Sequence, residues 1–177
     1  MVSDDNTIDD RGKELMIDDE LAGLVDKAYG LLMEKGFKLA FAESATGGML
    51  SKLFTDRSGA SSCYNGSVTS YVNSVKHNVL GVSNDDLDKY GAVSAPVAEQ
   101  MADGARKVLG ADIALSVTGI AGPGGAEGKE EGLFYFGLSF HGENMTRREI
   151  LKGTRDENRK SASRFVLTWL CDYLSRM

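Results

Sequence analysis

At 177 residues, 42% hydrophobic and 26% charged, the chain has the length and composition of one soluble globular domain, with a core large enough to need no disulfide staples. A net charge of −6 argues against a nucleic-acid binder that works through a broad basic surface, although a small phosphate-bearing ligand needs only a local positive pocket. Two cysteines (Cys63 and Cys171) outside any Cys-x-x-Cys pair, and two histidines (His77 and His141), give no basis for a disulfide framework or a metal site.

Residues 1–17 are polar and acidic and read as a flexible tail, with the domain proper at residues 18–177. Leu21, Leu24, Val25, Ala28, Leu31 and Leu32 recur at helical spacing and predict a first helix, capped by Asp18 or Asp19 and stopped by Gly36. Residues 37–42 predict a buried strand, and Met49, Leu50, Leu53 and Phe54 mark the face of a second helix. A strand at 66–71 and a short helix ending at Gly81 follow. Ser83 then caps a short helix and Ser94 a longer one with Pro96 in its first turn. Residues 112–117 are a strongly apolar strand. Residues 132–141 and 145–151 read as a hairpin turning at Gly142-Glu143-Asn144, and a last helix runs from about Asp156. This order predicts a single α/β domain: a three-layer α/β/α sandwich around a mixed sheet with an antiparallel hairpin. No apolar run approaches a membrane span and the N-terminus lacks a signal-peptide pattern, so a cytoplasmic protein without a membrane partner is expected.

Two glycine-rich turns each follow an apolar strand: Ser44-Ala45-Thr46-Gly47-Gly48, and Thr118-Gly119-Ile120-Ala121-Gly122-Pro123-Gly124-Gly125. Such turns expose main-chain N–H groups that suit an anion, and ligands of open α/β sheets gather beyond the carboxyl ends of strands, so both turns are expected at one site. The chain has no phosphate-binding Gly-x-x-x-x-Gly-Lys-Ser/Thr, no dinucleotide fingerprint and no Gly-x-Ser-x-Gly elbow. What remains near strand ends is a set of hydroxyls and cations: Ser44, Thr46, Ser61, Ser62, Tyr71, Lys76, Thr118 and Arg155. A serine can be activated by a neutral lysine, and Lys76, opening an apolar helix after a strand, is the best placed. Taken singly, each has a bland reading: Ser44 and Thr46 as helix caps, Ser61 and Ser62 as loop residues, Lys76 as a solvated charge and Tyr71 as packing.

The run Ala42-Glu43-Ser44-Ala45-Thr46-Gly47-Gly48 resembles the opening signature of the CinA C-terminal domain family, the nicotinamide mononucleotide deamidases. Further stretches fall in that family's order: Gly59-Ala60-Ser61-Ser62, Tyr71-Val72-Asn73-Ser74-Val75-Lys76, Gly91-Ala92-Val93-Ser94, the second glycine turn, and Gly153-Thr154-Arg155. The resemblance implies hydrolysis of the carboxamide of nicotinamide mononucleotide to nicotinic acid mononucleotide and ammonia, with no metal or organic cofactor. It implies Ser61 and Lys76 as the reacting pair, with Tyr71 as a proton relay or a holder of Lys76; Ser44, on the sharp strand-to-helix turn, is a second nucleophile candidate. Thr46, Gly47, Gly48, Thr118, Gly119, Ile120, Ala121, Gly122 and Arg155 would bind substrate, and a homodimer is the expected assembly. The chain departs from the family at Ala45 (usually cysteine), at Ala60 (usually serine), at Lys129-Glu130-Glu131-Gly132 and at Thr154 (usually aspartate). The alternatives are a non-catalytic nucleotide-binding or regulatory module, and an amidase for another pyridine or pterin-like amide.

Overall fold

The computed structural model describes residues 10–177, with side chains from Asp19 onward; the expected tail before Asp10 lies outside the described residues. The elements are α1 (Asp10–Lys35), β1 (Leu39–Glu43), α2 (Met49–Thr55), β2 (Tyr64–Thr69), α3 (Asn73–Leu80), α4 (Asn84–Tyr90), α5 (Ala95–Val108), β3 (Ile113–Gly119), β4 (Leu133–Phe140), β5 (Glu143–Ile150) and α6 (Arg155–Ser175). The five strands form one sheet in the order β2-β1-β3-β4-β5. β1 pairs parallel with β2 and β3, whereas β3–β4 and β4–β5 are antiparallel. This is the mixed-sheet α/β/α architecture that the sequence predicts.

Strand alternation builds the two outer layers. Leu39 and Phe41 of β1 and Ile113, Leu115 and Val117 of β3 face the core shared with α1, α2 and α6. Ala40, Ala42 and Ala114 face the opposite core, with α3, α4 and α5. That second face is made of small residues, which lets α5 sit close to the sheet. The Ser116 hydroxyl donates to the Ala98 carbonyl at 2.5 Å, and a Cβ on Gly137 would collide with the same carbonyl.

The chain leaves β1 to one side to form β2, then crosses to the other side to form β3. The carboxyl end of β1 is therefore a switch point, with a crevice between its two neighbours. Both glycine turns open at this end.

Several boundaries differ from those expected. α1 begins at Asp10, not at Asp18 or Asp19, so the acidic residues after Asp9 extend the helix. The hairpin turns at His141-Gly142, a two-residue loop with positive φ at both positions (48° and 91°), as the twist of a tight hairpin requires. β2 ends at Thr69, which leaves Tyr71 in the loop beyond the strand. Among the described residues, no helix is long and apolar enough to cross a membrane.

Gly104 lies in α5 where a Cβ would strike the Leu80 carbonyl at the end of α3. Alanine ordinarily stabilises a helix interior by about 1 kcal/mol over glycine. Here Gly104→Ala should instead destabilise the protein, by about 1–3 kcal/mol in urea unfolding, because α3 must move off α5.

Candidate active site

The alternation that builds the core also sorts the two residues at the end of β1. Glu43 continues the Leu39–Phe41 face toward α2, and Ser44 continues the Ala40–Ala42 face toward α3. Glu43 is fully buried, and its carboxylate accepts five hydrogen bonds. Oε2 takes the Thr46 hydroxyl at 2.8 Å and the main-chain N–H of Gly48 and Leu50 at 3.1 and 3.0 Å. Oε1 takes the Ser51 N–H at 2.9 Å and the Ser67 hydroxyl at 3.1 Å. The first glycine turn does bind an anion, but the anion is the protein's own.

This corrects the expected roles of Thr46, Gly47 and Gly48 in substrate binding. Thr46 is fully buried on Glu43, the Gly48 amide is used by the same carboxylate, and neither they nor Gly47 line the cleft. What the turn offers to the cleft is Ser44 and Ala45.

Ser44 meets Lys76. The Lys76 Nζ lies 3.0 Å from the Ser44 Oγ and donates to the Ser70 carbonyl at 2.6 Å. Lys76 is 1% exposed, an unusual place for an ammonium group. Burial pushes its amine down to about 8, and the Glu127 carboxylate acts in the opposite direction. A neutral amine fits these partners: one N–H donates to the Ser70 carbonyl, and the lone pair accepts the Ser44 hydroxyl proton.

The expected Ser61–Lys76 pair is not formed. Ser61 is exposed on a 3-10 turn (Ala60–Ser62) just before β2, whereas Lys76 follows the far end of that strand. The six residues of β2, a span of about 20 Å, run between the two. Tyr71 lines the cleft at 63% exposure, and its hydroxyl accepts from Arg155 at 3.3 Å rather than holding Lys76.

The cleft has a volume of about 360 Å³ and lies between Ser44 and Lys76, the second glycine turn, the Ala92-Val93 segment and Arg155. Thr118, Gly119, Ile120, Ala121 and Gly122 all line it, so the second turn reaches the site as expected. Some of this turn is also committed internally. The Thr118 hydroxyl donates to the Ala92 carbonyl at 2.8 Å, the Ile120 N–H to Leu133, and the Gly124 N–H to the Glu131 carboxylate at 2.6 Å. The N–H groups of Ala45, Ala121 and Gly122 make no main-chain hydrogen bond among the described residues.

One face of α6 ties the two turns together. Arg155 donates to the Gly122 carbonyl at 2.6 Å. Asn158 donates to the carbonyls of Ala121 and Gly153 at 3.1 and 2.9 Å, and Arg159 to those of Ala45 and Thr46 at 3.2 and 2.8 Å. The spacing i, i+3, i+4 puts all three side chains on one stripe. Sequence reasoning found Arg155 and missed Asn158, Arg159 and Glu43. The helical spacing of 155, 158 and 159 at the start of the last helix was the available signal. The departure at Thr154 is absorbed, because Thr154 caps α6 in a reciprocal capping box with Glu157.

Two stability measurements test this arrangement. Glu43→Ala should cost at least about 3 kcal/mol in urea unfolding, since it strands several buried donors at once. Lys76 acts in the other direction. Its amine titrates near 8 folded and near 10.5 unfolded, so between those values the unfolded chain binds more protons. Stability should fall by about 3 kcal/mol as pH drops from 10.5 to 8 and stay at that lower level below pH 8. Lys76→Met should therefore raise stability at pH 7, by about 1–3 kcal/mol, and flatten the dependence between pH 8 and 10.5.

Comparison with known proteins agrees with this architecture. The CinA C-terminal domain matches residues 21–174. A putative competence-damage inducible protein of Halothermothrix orenii is 42% identical over 170 residues, covering 95% of this chain and 41% of the relative. A CinA-like protein of Trichormus variabilis is 51% identical over 129 residues, covering 72% and 30%. The chain thus spans well under half the length of these relatives. Among solved structures, a competence-damaged protein (CinA) superfamily protein from Klebsiella pneumoniae superposes with a TM-score of 0.86 at 30% identity, covering 89% of this chain and 99% of that one. A competence/damage inducible protein from Agrobacterium tumefaciens gives 0.83 at 31% identity, covering 88% and 96%. With the family's domain matched from Leu21 to Leu174 and the same fold in these structures, the chain belongs to the CinA C-terminal domain family.

Proposed function

We propose that this domain is an amidohydrolase that converts nicotinamide mononucleotide and water to nicotinic acid mononucleotide and ammonia. The observation that carries the reading is the buried Ser44–Lys76 contact of 3.0 Å at the floor of a cleft lined by glycine-turn main chain. A binding module needs the turns but has no use for a desolvated amine beside a hydroxyl. Burying that amine costs stability, a cost typical of catalytic groups.

In this reading Ser44 Oγ attacks the carboxamide carbon as Lys76 Nζ takes its proton. The oxyanion forms beside the Ala45 N–H, one residue past the nucleophile, a donor worth about 3 kcal/mol in such sites. The protonated Lys76 gives its proton to the departing nitrogen, and ammonia leaves an ester on Ser44. Water then attacks the ester, with Lys76 again the base, and restores the free hydroxyl. The amides of Ala121 and Gly122, together with Arg155, are the groups offered to the phosphate. Tyr71 holds the Arg155 guanidinium at the rim.

The test is ammonia release from nicotinamide mononucleotide by the purified protein. Ser44→Ala and Lys76→Ala should each lower kcat by at least about 100-fold, Ser61→Ala should leave it unchanged, and Arg155→Ala should mainly raise KM. Because the working form of Lys76 is the free amine, kcat/KM should rise about tenfold per pH unit below 8 and level off above it. Thermal stabilisation by the nucleotide without ammonia release would replace the reading with a binding module.

A further inference from the structure

The loop 126–129 carries an acid at the mouth of the cleft that the mechanism does not use. Glu127 lines the cleft with its side chain 40% exposed. Its backbone is left-handed (φ 52°), a conformation that disfavours a side chain with a Cβ and that glycine would adopt freely. The neighbouring fold is shaped around its carboxylate. Gly91 leaves the space that the Glu127 carboxylate occupies, and a Cβ there would collide with Oε2. Lys129 fixes the loop by donating to the carbonyls of Tyr90 and Val93 at 2.5 and 2.6 Å, and its Nζ stays 3.8 Å from Glu127. Among the described residues the Glu127 carboxylate accepts no hydrogen bond; Lys129 balances it as an ion pair at 3.8 Å, and the side chain lines the cleft. Its charge is nonetheless felt inside, since it opposes the effect of burial on Lys76.

The fixed charges of the cleft are thereby divided. Arg155 enters from the α6 layer, and Glu127 stands over Gly91, between α4 and α5 of the opposite layer. Lys76, between them, is the group that titrates. A mononucleotide whose base is a pyridinium carries the complementary pair, an anionic phosphate and a cationic ring. A carboxylate at the mouth repels phosphate and attracts the ring.

We propose that Glu127 is a specificity-determining residue: its carboxylate faces the positive charge of the pyridinium ring and selects a cationic ring over a neutral ring of the same outline. The proposal rests on the amidohydrolase reading for its substrate class, and its test separates the two.

Binding is measured by calorimetry on the full chain carrying Ser44→Ala, so that no turnover intervenes. The two ligands are nicotinamide mononucleotide and its 1,4-dihydro form, which has the same substituents and an uncharged ring. The Ser44→Ala protein should bind the cationic form at least about tenfold tighter. Adding Glu127→Gln should bring the two affinities within about twofold of each other, by weakening the cationic form alone, and Glu127→Asp should keep part of the preference. A second readout comes from the active enzyme, where Glu127→Gln should move the acid limb of kcat/KM to lower pH, because the carboxylate no longer favours the protonated amine. The groups around that amine are Ser44, Ser70, Tyr71, Arg155 and Glu127, with His77 beside it on α3, and of these only Glu127 carries a negative charge. Equal weakening of both ligands, or no change in the preference, overturns the proposal even if wild-type protein releases ammonia. Absence of ammonia release with the ring preference intact would overturn the reaction and leave the selectivity standing.

Discussion

The carboxylate of Glu43 fixes the geometry on which the site depends. Buried at the end of β1, it accepts from the first turn of α2, from Thr46 and from Ser67 of β2, and so joins strand, turn, helix and neighbouring strand at one point. A negative charge at a helix N-terminus is favourable in itself. Its larger effect is to fill the anion-binding turn from within. With those amides satisfied, the backbone has no reason to rearrange around a ligand, and Ser44 is presented on the opposite face of the strand at a fixed angle.

The second constraint is electrostatic. Lys76 is enclosed by α3, the end of β2 and the mouth of the cleft, and burial brings its amine near the pH at which a base is useful. The neighbours divide the work. Ser70 supplies an acceptor that holds the amine in place, Ser44 lies 3.0 Å away and in the proposed reaction supplies the proton to be taken, and Glu127 limits how far the amine is shifted. The site is tuned by opposing influences, not by one strong ion pair.

The sequence carried much of this, unevenly. Apolar periodicity placed the strands and helices to within a few residues, because each buries a face whose spacing is its signature; the start of α1, whose first turns lie before the apolar stripe, was missed. The two glycine turns, Lys76, Ser44 and Arg155 were legible from their positions at strand ends and helix starts. The partner of Lys76 was not, because Ser44 and Ser61 both sit in glycine-flanked loops of similar composition. Only the direction of β2 shows that one serine lies at the working end of the sheet and the other at its opposite end. The filled state of the first turn was also hidden. Glu43 ends an apolar strand, and whether its carboxylate turns outward or folds back on the helix depends on strand pleat and loop closure together. Asn158 and Arg159 went unseen for a similar reason, since the glycine-turn carbonyls they bind are more than thirty residues away.

The stripe of Arg155, Asn158 and Arg159 makes the cleft a late product of folding. Among the described residues no hydrogen bond joins one glycine turn to the other; both are laced to the start of α6, the last element of the matched domain. A nascent chain can pair β1 with β2 and β3 well before α6 leaves the ribosome, yet its two loops stay unlinked until that helix docks. An ordered cleft at this end of the sheet thus requires α6 to be docked.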